Sequence, residues 1–304
     1  MTSSTRRIGL VSKSNAVPFS ELAPVCEAIN EQLREVGAAW GVHASVEPRQ
    51  TRSESGLNYV TISDLPPGFE PPQASGLGDD ALRGQHFKLA DVVLAQVRYT
   101  SAWSVTASHE CIEMAVNPDM DLLRLRPPLS AFSALPEGTD EAEVEYLVEV
   151  CDPCQFGSYA YAAPGTDPPI MVSDFLLPEY FELGSKASRF SFHGSITEPF
   201  QVLPHGCVSW GVRRTHTLWQ QWVDERGVRV VAVDDRWDPQ PHPDASQSRR
   251  QALYGSEKDA IRVKQLRIPD ANTIAHILGS LVQGASASIE GSIAPLNGSN
   301  PRHS

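Results

Sequence analysis

The chain has 304 residues, of which 41% are apolar and 20% charged, and its formal net charge is −12 at pH 7. That balance belongs to an ordinary globular protein, long enough for one large domain or two smaller ones with a sizeable core. It argues against a nucleic-acid partner, since phosphate binding needs clustered Lys and Arg and here Arg213-Arg214 and Arg249-Arg250 are isolated pairs.

Arg7 to Ser12 reads as a short buried strand rather than a signal peptide, because no long apolar core and cleavage site follow Met1 to Arg7. No run approaches the roughly 18 apolar residues of a membrane span, so no membrane partner is expected. Five scattered cysteines make a poor disulfide scaffold and favour a reducing cytoplasm. After Pro18 an amphipathic helix is expected over Ser20 to Val36, with Leu22, Val25, Ile29, Leu33 and Val36 on one face. Ser20 is its expected N-cap and Gly37 its stop. His43 to Val46 and Tyr59 to Ile62 alternate like strands, and a Pro- and Gly-rich loop is expected from Leu65 to Gly84.

Ala90 to Arg98 is the best strand in the sequence. It leads into Ser108-His109-Glu110-Cys111-Ile112-Glu113, which reads as His-Glu-x-x-Glu on a helix. Residues at i and i+4 lie one turn apart on one helical face, so His109 and Glu113 can point at a common atom, with Glu110 flanking them. This is the layout of the zinc-peptidase helix H-E-x-x-H with a carboxylate replacing the second imidazole. Asn117-Pro118 stops the helix.

A third ligand must come from elsewhere. Tyr146 to Val150 reads as a strand that ends in a turn, and the run Glu149-Val150-Cys151-Asp152 places two carboxylates three apart. Asp152 is the first choice for the third ligand and Glu149 the second, and whichever is left over can accept the free N–H of His109. The bland alternatives are that the strand carboxylates face solvent and that His109 and Glu113 are a plain helical pair. One imidazole and two carboxylates leave a divalent ion without net positive charge, so the site leans on Glu110 as general base. Zinc is expected, with manganese or iron less implausible than in a three-histidine site.

Arg124 to Glu141 reads as a connection. Ile170 to Phe175 reads as a strand carrying Asp174, either near the site or as a turn anchor. An aromatic patch follows at Tyr180-Phe181. Short strands are expected around Arg189 to Phe192, Gln201 to Leu203, Cys207 to Trp210 and Val228 to Val233, then a polar segment from Asp234 to Ala260, a helix over Asp270 to Leu281 and a polar tail. Cys151-x-x-Cys154 lacks the second pair of a zinc knuckle. An oxyanion donor, if any, would come by residue type from Tyr159, Tyr161, Tyr180, His193 or His205. His86 either lines a cleft or sits in a loop.

The ordered set Ser108-His109-Glu110, Glu113, Asn117-Pro118, Glu149-Val-x-Asp152 and Val172-Ser173-Asp174-Phe175-x-x-Pro178 resembles a group of bacterial zincin-like metallopeptidase relatives with S-H-E-x-x-E-x-x-x-[DN]-P followed by E-[IV]-x-D. The likeness spans roughly Pro18 to Trp219. It implies an α+β fold: a zincin-like N-terminal half, with a twisted sheet on two helices, and a β-rich elaboration after residue 153, the whole occupying 1–235 with a polar loop, short helix and tail over 236–304. It implies His109 and Glu113 as ligands and Glu110 as base. Asn117 stands where Asp is commoner, a difference expected to alter only the helix end. In such a fold an edge strand aligns an extended peptide through main-chain hydrogen bonds; Val92 to Arg98 is the candidate edge. The expected function is metal-dependent hydrolysis of a peptide or small amide. The alternative is a metal-binding, non-catalytic protein that holds a peptide or protein partner along that edge.

Overall fold

A computed structural model describes residues 5–64, 84–89, 92–128, 143–224 and 227–234. The chain divides into two units, Met1–Leu266 and Arg267–Ser304, and every described residue belongs to the first. The polar segment beyond residue 234, the expected helix at Asp270 to Leu281 and the tail lie outside the described residues.

The first half is a five-stranded sheet covered by two helices. Strands β1 (Arg6–Ser12), β2 (Ala44–Arg49), β3 (Asn58–Ser63) and β5 (Val92–Arg98) run parallel to their neighbours, and β4 (Gly84–Leu89) joins β5 antiparallel, in the order β2-β1-β3-β5-β4. Helix α1 (Phe19–Trp40) covers β1 and β2, helix α2 (Trp103–Val116) covers β3, β4 and β5, and the two helices touch, so both lie on one face. In β5 the alternation is clean: Val93, Ala95 and Val97 are buried towards the helices while their neighbours are half-buried. The expected edge is corrected here, because β5 is interior and β4 is the outer strand. The stretch read as loop up to Gly84 gives way to a strand that β5 recruits by pairing, a non-local effect with no local sequence signal.

The second half is antiparallel, in the order β12-β11-β10-β7-β6, from β6 (Leu123–Arg126), β7 (Val144–Leu147), β10 (Cys207–Val212), β11 (Thr217–Asp224) and β12 (Gly227–Asp234). A small hairpin of β8 (Tyr161–Ala162) and β9 (Met171–Val172) packs against the helices. Among the described residues two α-helices, one mixed sheet, one antiparallel sheet and the small hairpin make this an α+β protein. Among the described residues no helix is long and apolar enough to cross a membrane.

Several expected boundaries move. α1 has Pro18 rather than Ser20 at its N-cap, runs through Gly37 and stops at Gly41, whose φ of 66° is left-handed. The helix is carried on by Trp40, which is buried and donates its indole N–H to the carbonyl of Leu176 at 2.8 Å. β6 and β11 were not separable from connection by pattern, Gln201 to Leu203 is not a strand, and Ser191 makes only an isolated bridge to Leu176.

One apolar core runs from the first sheet through both helices into the second. Trp40 meets Phe181 edge-on, Phe181 and Tyr180 meet Phe200, and Phe200 packs on Tyr146 of β7, which in turn contacts Trp210 of β10. α2 lies inside this core and is buried on nearly every face, including Ser108, His109, Glu110 and Glu113.

Ser108 shows how a polar residue is satisfied there. Its hydroxyl donates to the carbonyl of Val105 and accepts the backbone N–H of Ser173 at 2.7 Å. Replacing Ser108 by Ala strands that buried N–H, a loss of about 1–3 kcal/mol. Urea unfolding of Ser108→Ala should show that loss with little change in slope, and an unchanged midpoint would contradict it.

Candidate metal centre

The site is assembled from three places in the chain. α2 supplies His109, Glu110 and Glu113, the segment after β7 supplies Glu149, Cys151 and Asp152, and the outer strand β4 supplies His86. The β7 strand stops at Leu147, so Glu149 and Asp152 do not sit on a strand as expected; Asp152 opens a short 3-10 turn. That turn is where the chain leaves the sheet and comes back over α2.

Hydrogen bonds fix this return. Asn117, at the C-terminal end of α2, donates from Nδ2 to the carbonyl of Val148 at 3.0 Å and to Oε1 of Glu149 at 3.4 Å, while its Oδ1 accepts the N–H groups of Asp121 and Leu122. The N–H of Cys151 donates to Oε1 of Glu113 at 3.2 Å. The expectation that Asn117 matters only for the helix end is therefore corrected: a carboxylate there would have no N–H to give Glu149.

The four predicted ligands come together. His109 Nε2 lies 3.2 Å from Oε2 of Glu113 and 3.5 Å from Oδ1 of Asp152. Glu149 reaches the same cluster through His86, whose Nε2 is 4.0 Å from Oε2 of Glu149. His86 also brings Nδ1 within 3.3 Å of Glu110 and 3.5 Å of Glu113. Two ligand sets emerge, each with atoms within 4.8 Å of one another: His109, Glu113 and Cys151, and His86, Glu113 and Glu149. Two donors on a tetrahedral ion at roughly 2.0–2.2 Å stand about 3.4 Å apart. The separations at His109 match that edge.

Glu110 is 2% exposed and lies against β4. A Cβ on Gly84 would overlap its Oε1 and sit 2.7 Å from Cγ2 of Thr106, so the glycine is what lets the strand lie directly on the helix.

Burial dominates the electrostatics. It raises the carboxyl pKa values of Glu110, Glu149 and Asp152, reinforced at Glu149 and Asp152 by the charge of Glu113. Glu113 goes the other way: burial would raise it, but His109 and His86 outweigh burial and bring it down to about 2. Burial opposes the charge on both imidazoles, yet Glu113 and Asp152 hold His109 well above its ordinary value, and Glu110 and Glu113 raise His86. Among the described residues these carboxylates have no Lys or Arg within ion-pair distance, only the two histidines.

The remaining candidates are structural. Asp174 is a turn anchor, accepting from the N–H groups of Phe175 and His193 and from the hydroxyl of Ser195. Tyr161 donates to Glu35 and stacks on His193, His205 stacks on Phe156, Tyr180 is core and Tyr159 packs against the core. Cys151 and Cys154 are free thiols, and Cys207 donates its S–H to Oδ2 of Asp152 at 3.3 Å. His86 is the residue that pattern alone leaves open between a cleft and a loop. Only its register opposite the buried Ala95 places it on the helix-facing side.

Comparison with known protein families, curated proteins and solved structures finds no match to this chain.

The protonation pattern gives a signed expectation. The raised groups favour the fold when protonated, so their contribution is complete below their ordinary values and is lost as pH rises through the folded ones. Glu113 does the reverse, losing its contribution only as pH falls from 4.5 towards about 2. Metal-free protein should thus be most stable in mild acid and weaken towards pH 8. A bound divalent ion replaces those protons, so saturating zinc should raise Tm more at pH 8 than at pH 5.5. Thermal melts with and without zinc check this, and equal shifts at both values would refute it.

Proposed function

We propose that this protein is a zincin-like, metal-dependent hydrolase of amide bonds, with a peptide as its substrate class. The observation that supports the reading best is the meeting of His109 and Glu113, one turn apart on a buried helix, with Cys151 from a separate segment within 4.8 Å of both and Asp152 of that segment 3.5 Å from the His109 imidazole. His109, Glu113 and Asp152 would hold zinc, with the thiol of Cys151 beside them as a soft donor that favours zinc over harder ions. When bound there, such an ion supplies Lewis acidity, polarising a carbonyl and making water acidic near neutral pH.

The chain's own residues do the rest. Glu110 follows His109 directly and is the general base, taking a proton from water and delivering it to the leaving amine. Its raised pKa suits a group that must both accept and release a proton. The Cys151 N–H holds Glu113 in place, and Asn117 holds Glu149 beside the ligands. The open side of β4 is an outer edge of the described sheet, with its Gly84 directly against Glu110, and an extended peptide added there would lie along the site.

A second reading uses the same edge without chemistry: the protein holds a peptide on β4 and the ion is structural. The 2% exposure of Glu110 favours it, since a base must reach its water.

Elemental analysis after dialysis should find zinc in wild-type protein and a loss of it in His109→Ala. Glu110→Gln should keep the metal and lower hydrolysis of a mixed peptide library by about 10²–10⁴-fold. Metal without any hydrolysis in the wild type would transfer the case to the peptide-binding reading. Absence of metal would end both.

A further inference from the structure

We infer that the site has a second cation position, formed by His86, Glu113 and Glu149, with the Glu113 carboxylate shared between the two ions. The inference rests on the reading above for the first ion but uses residues that reading leaves idle.

The geometry comes first. His86, Glu113 and Glu149 offer ligand atoms within 4.8 Å of one another, a set separate from His109, Glu113 and Cys151 except for Glu113. Oε2 of Glu113 faces both imidazoles, 3.2 Å from His109 and 3.5 Å from His86. A carboxylate oxygen this close to two histidines is placed to bridge two ions.

Unmet bonding is the second observation. His86 is 5% exposed, and its Nε2 has no hydrogen-bond partner although it faces Glu149. Oε2 of Glu110, 3.3 Å from the other ring nitrogen, is likewise buried without a partner. A buried imidazole with an unused nitrogen is costly unless something takes its lone pair. Gly84 lets β4 lie directly on Glu110, and the register opposite Ala95 puts His86 on that same helix-facing side.

Charge is the third. Glu110, Glu113, Glu149 and Asp152 together carry four negative charges when ionised, and two neutral imidazoles add none. One divalent ion leaves two charges uncompensated inside the protein, whereas two ions leave none. The second position has nitrogen and oxygen donors only, a harder set than the first, so zinc or manganese suits it.

The test is stoichiometry, read without activity. Metal-free protein dialysed against zinc should bind two ions per chain, and His86→Ala should bind one. Glu149→Gln, which keeps the acceptor for Asn117, should also bind one and serves if His86→Ala does not fold, as judged by circular dichroism. With manganese, wild-type protein should give the electron paramagnetic resonance signal of an exchange-coupled pair, and His86→Ala that of an isolated ion. One zinc per chain in the wild type, or two retained in both variants, overturns the second position and leaves the proposed function standing. Lower activity in His86→Ala at unchanged stoichiometry also overturns it, making His86 a positioning residue for Glu110. No zinc at all would remove the proposed function itself.

Discussion

The burial of α2 on nearly all its faces constrains everything else in this protein. A helix enclosed by a sheet, a second helix and a β-hairpin should be apolar throughout, yet its middle turn carries an imidazole and two carboxyl groups. Such groups cannot rely on water, so the surrounding chain has to come to them. It does so from two directions. The segment after β7 returns over the helix and donates a backbone N–H to Glu113, and β4 lies close enough on the other side to bring His86 against Glu110.

That enclosure also explains why polar residues around the site are so specific in role. Ser108 satisfies the backbone of Ser173, and Asn117 satisfies three backbone groups while touching Glu149. Each is buried, and each ties α2 to a segment distant in sequence. Ser108 fixes the backbone beside α2, and Asn117 sets where the Glu149 carboxylate sits. The aromatic chain from Trp40 to Trp210 does the same on a larger scale, holding the second sheet so that the turn at Asp152 cannot drift.

How much of this was legible in the sequence follows from the range of each interaction. His109, Glu110 and Glu113 could be grouped because helical period is local, and their geometry needs nothing beyond one turn. Asp152 and Glu149 could be nominated as an acidic pair close to a strand, although the strand ends at Leu147 and a 3-10 turn carries Asp152. His86 could not be placed. Its side of the sheet is set by antiparallel register with Ala95, and β4 itself exists because β5 offers it an edge. For the same reason the interior strand β5 read as an edge: its apolar alternation is that of a half-buried strand, and only the presence of β4 says which neighbour lies outside it. α1 running past Gly37 is a similar case, since the indole bond from Trp40 to Leu176 spans 136 residues.

Gly84 links these levels. A residue with any side chain there would meet Glu110, so the carboxyl group and the strand compete for one volume. With glycine, the strand can approach until His86 reaches Glu110 and Glu113, and the open edge of β4 is carried to the same place. The proposed base, the His86 imidazole and the proposed peptide-docking edge thereby share one cause, the close contact of an outer strand with a buried polar helix. An edge strand is ordinarily a hazard that proteins cover or shorten. Here its contact face carries a histidine turned inward to buried acids, which ties the strand's position to the ionic state of the site.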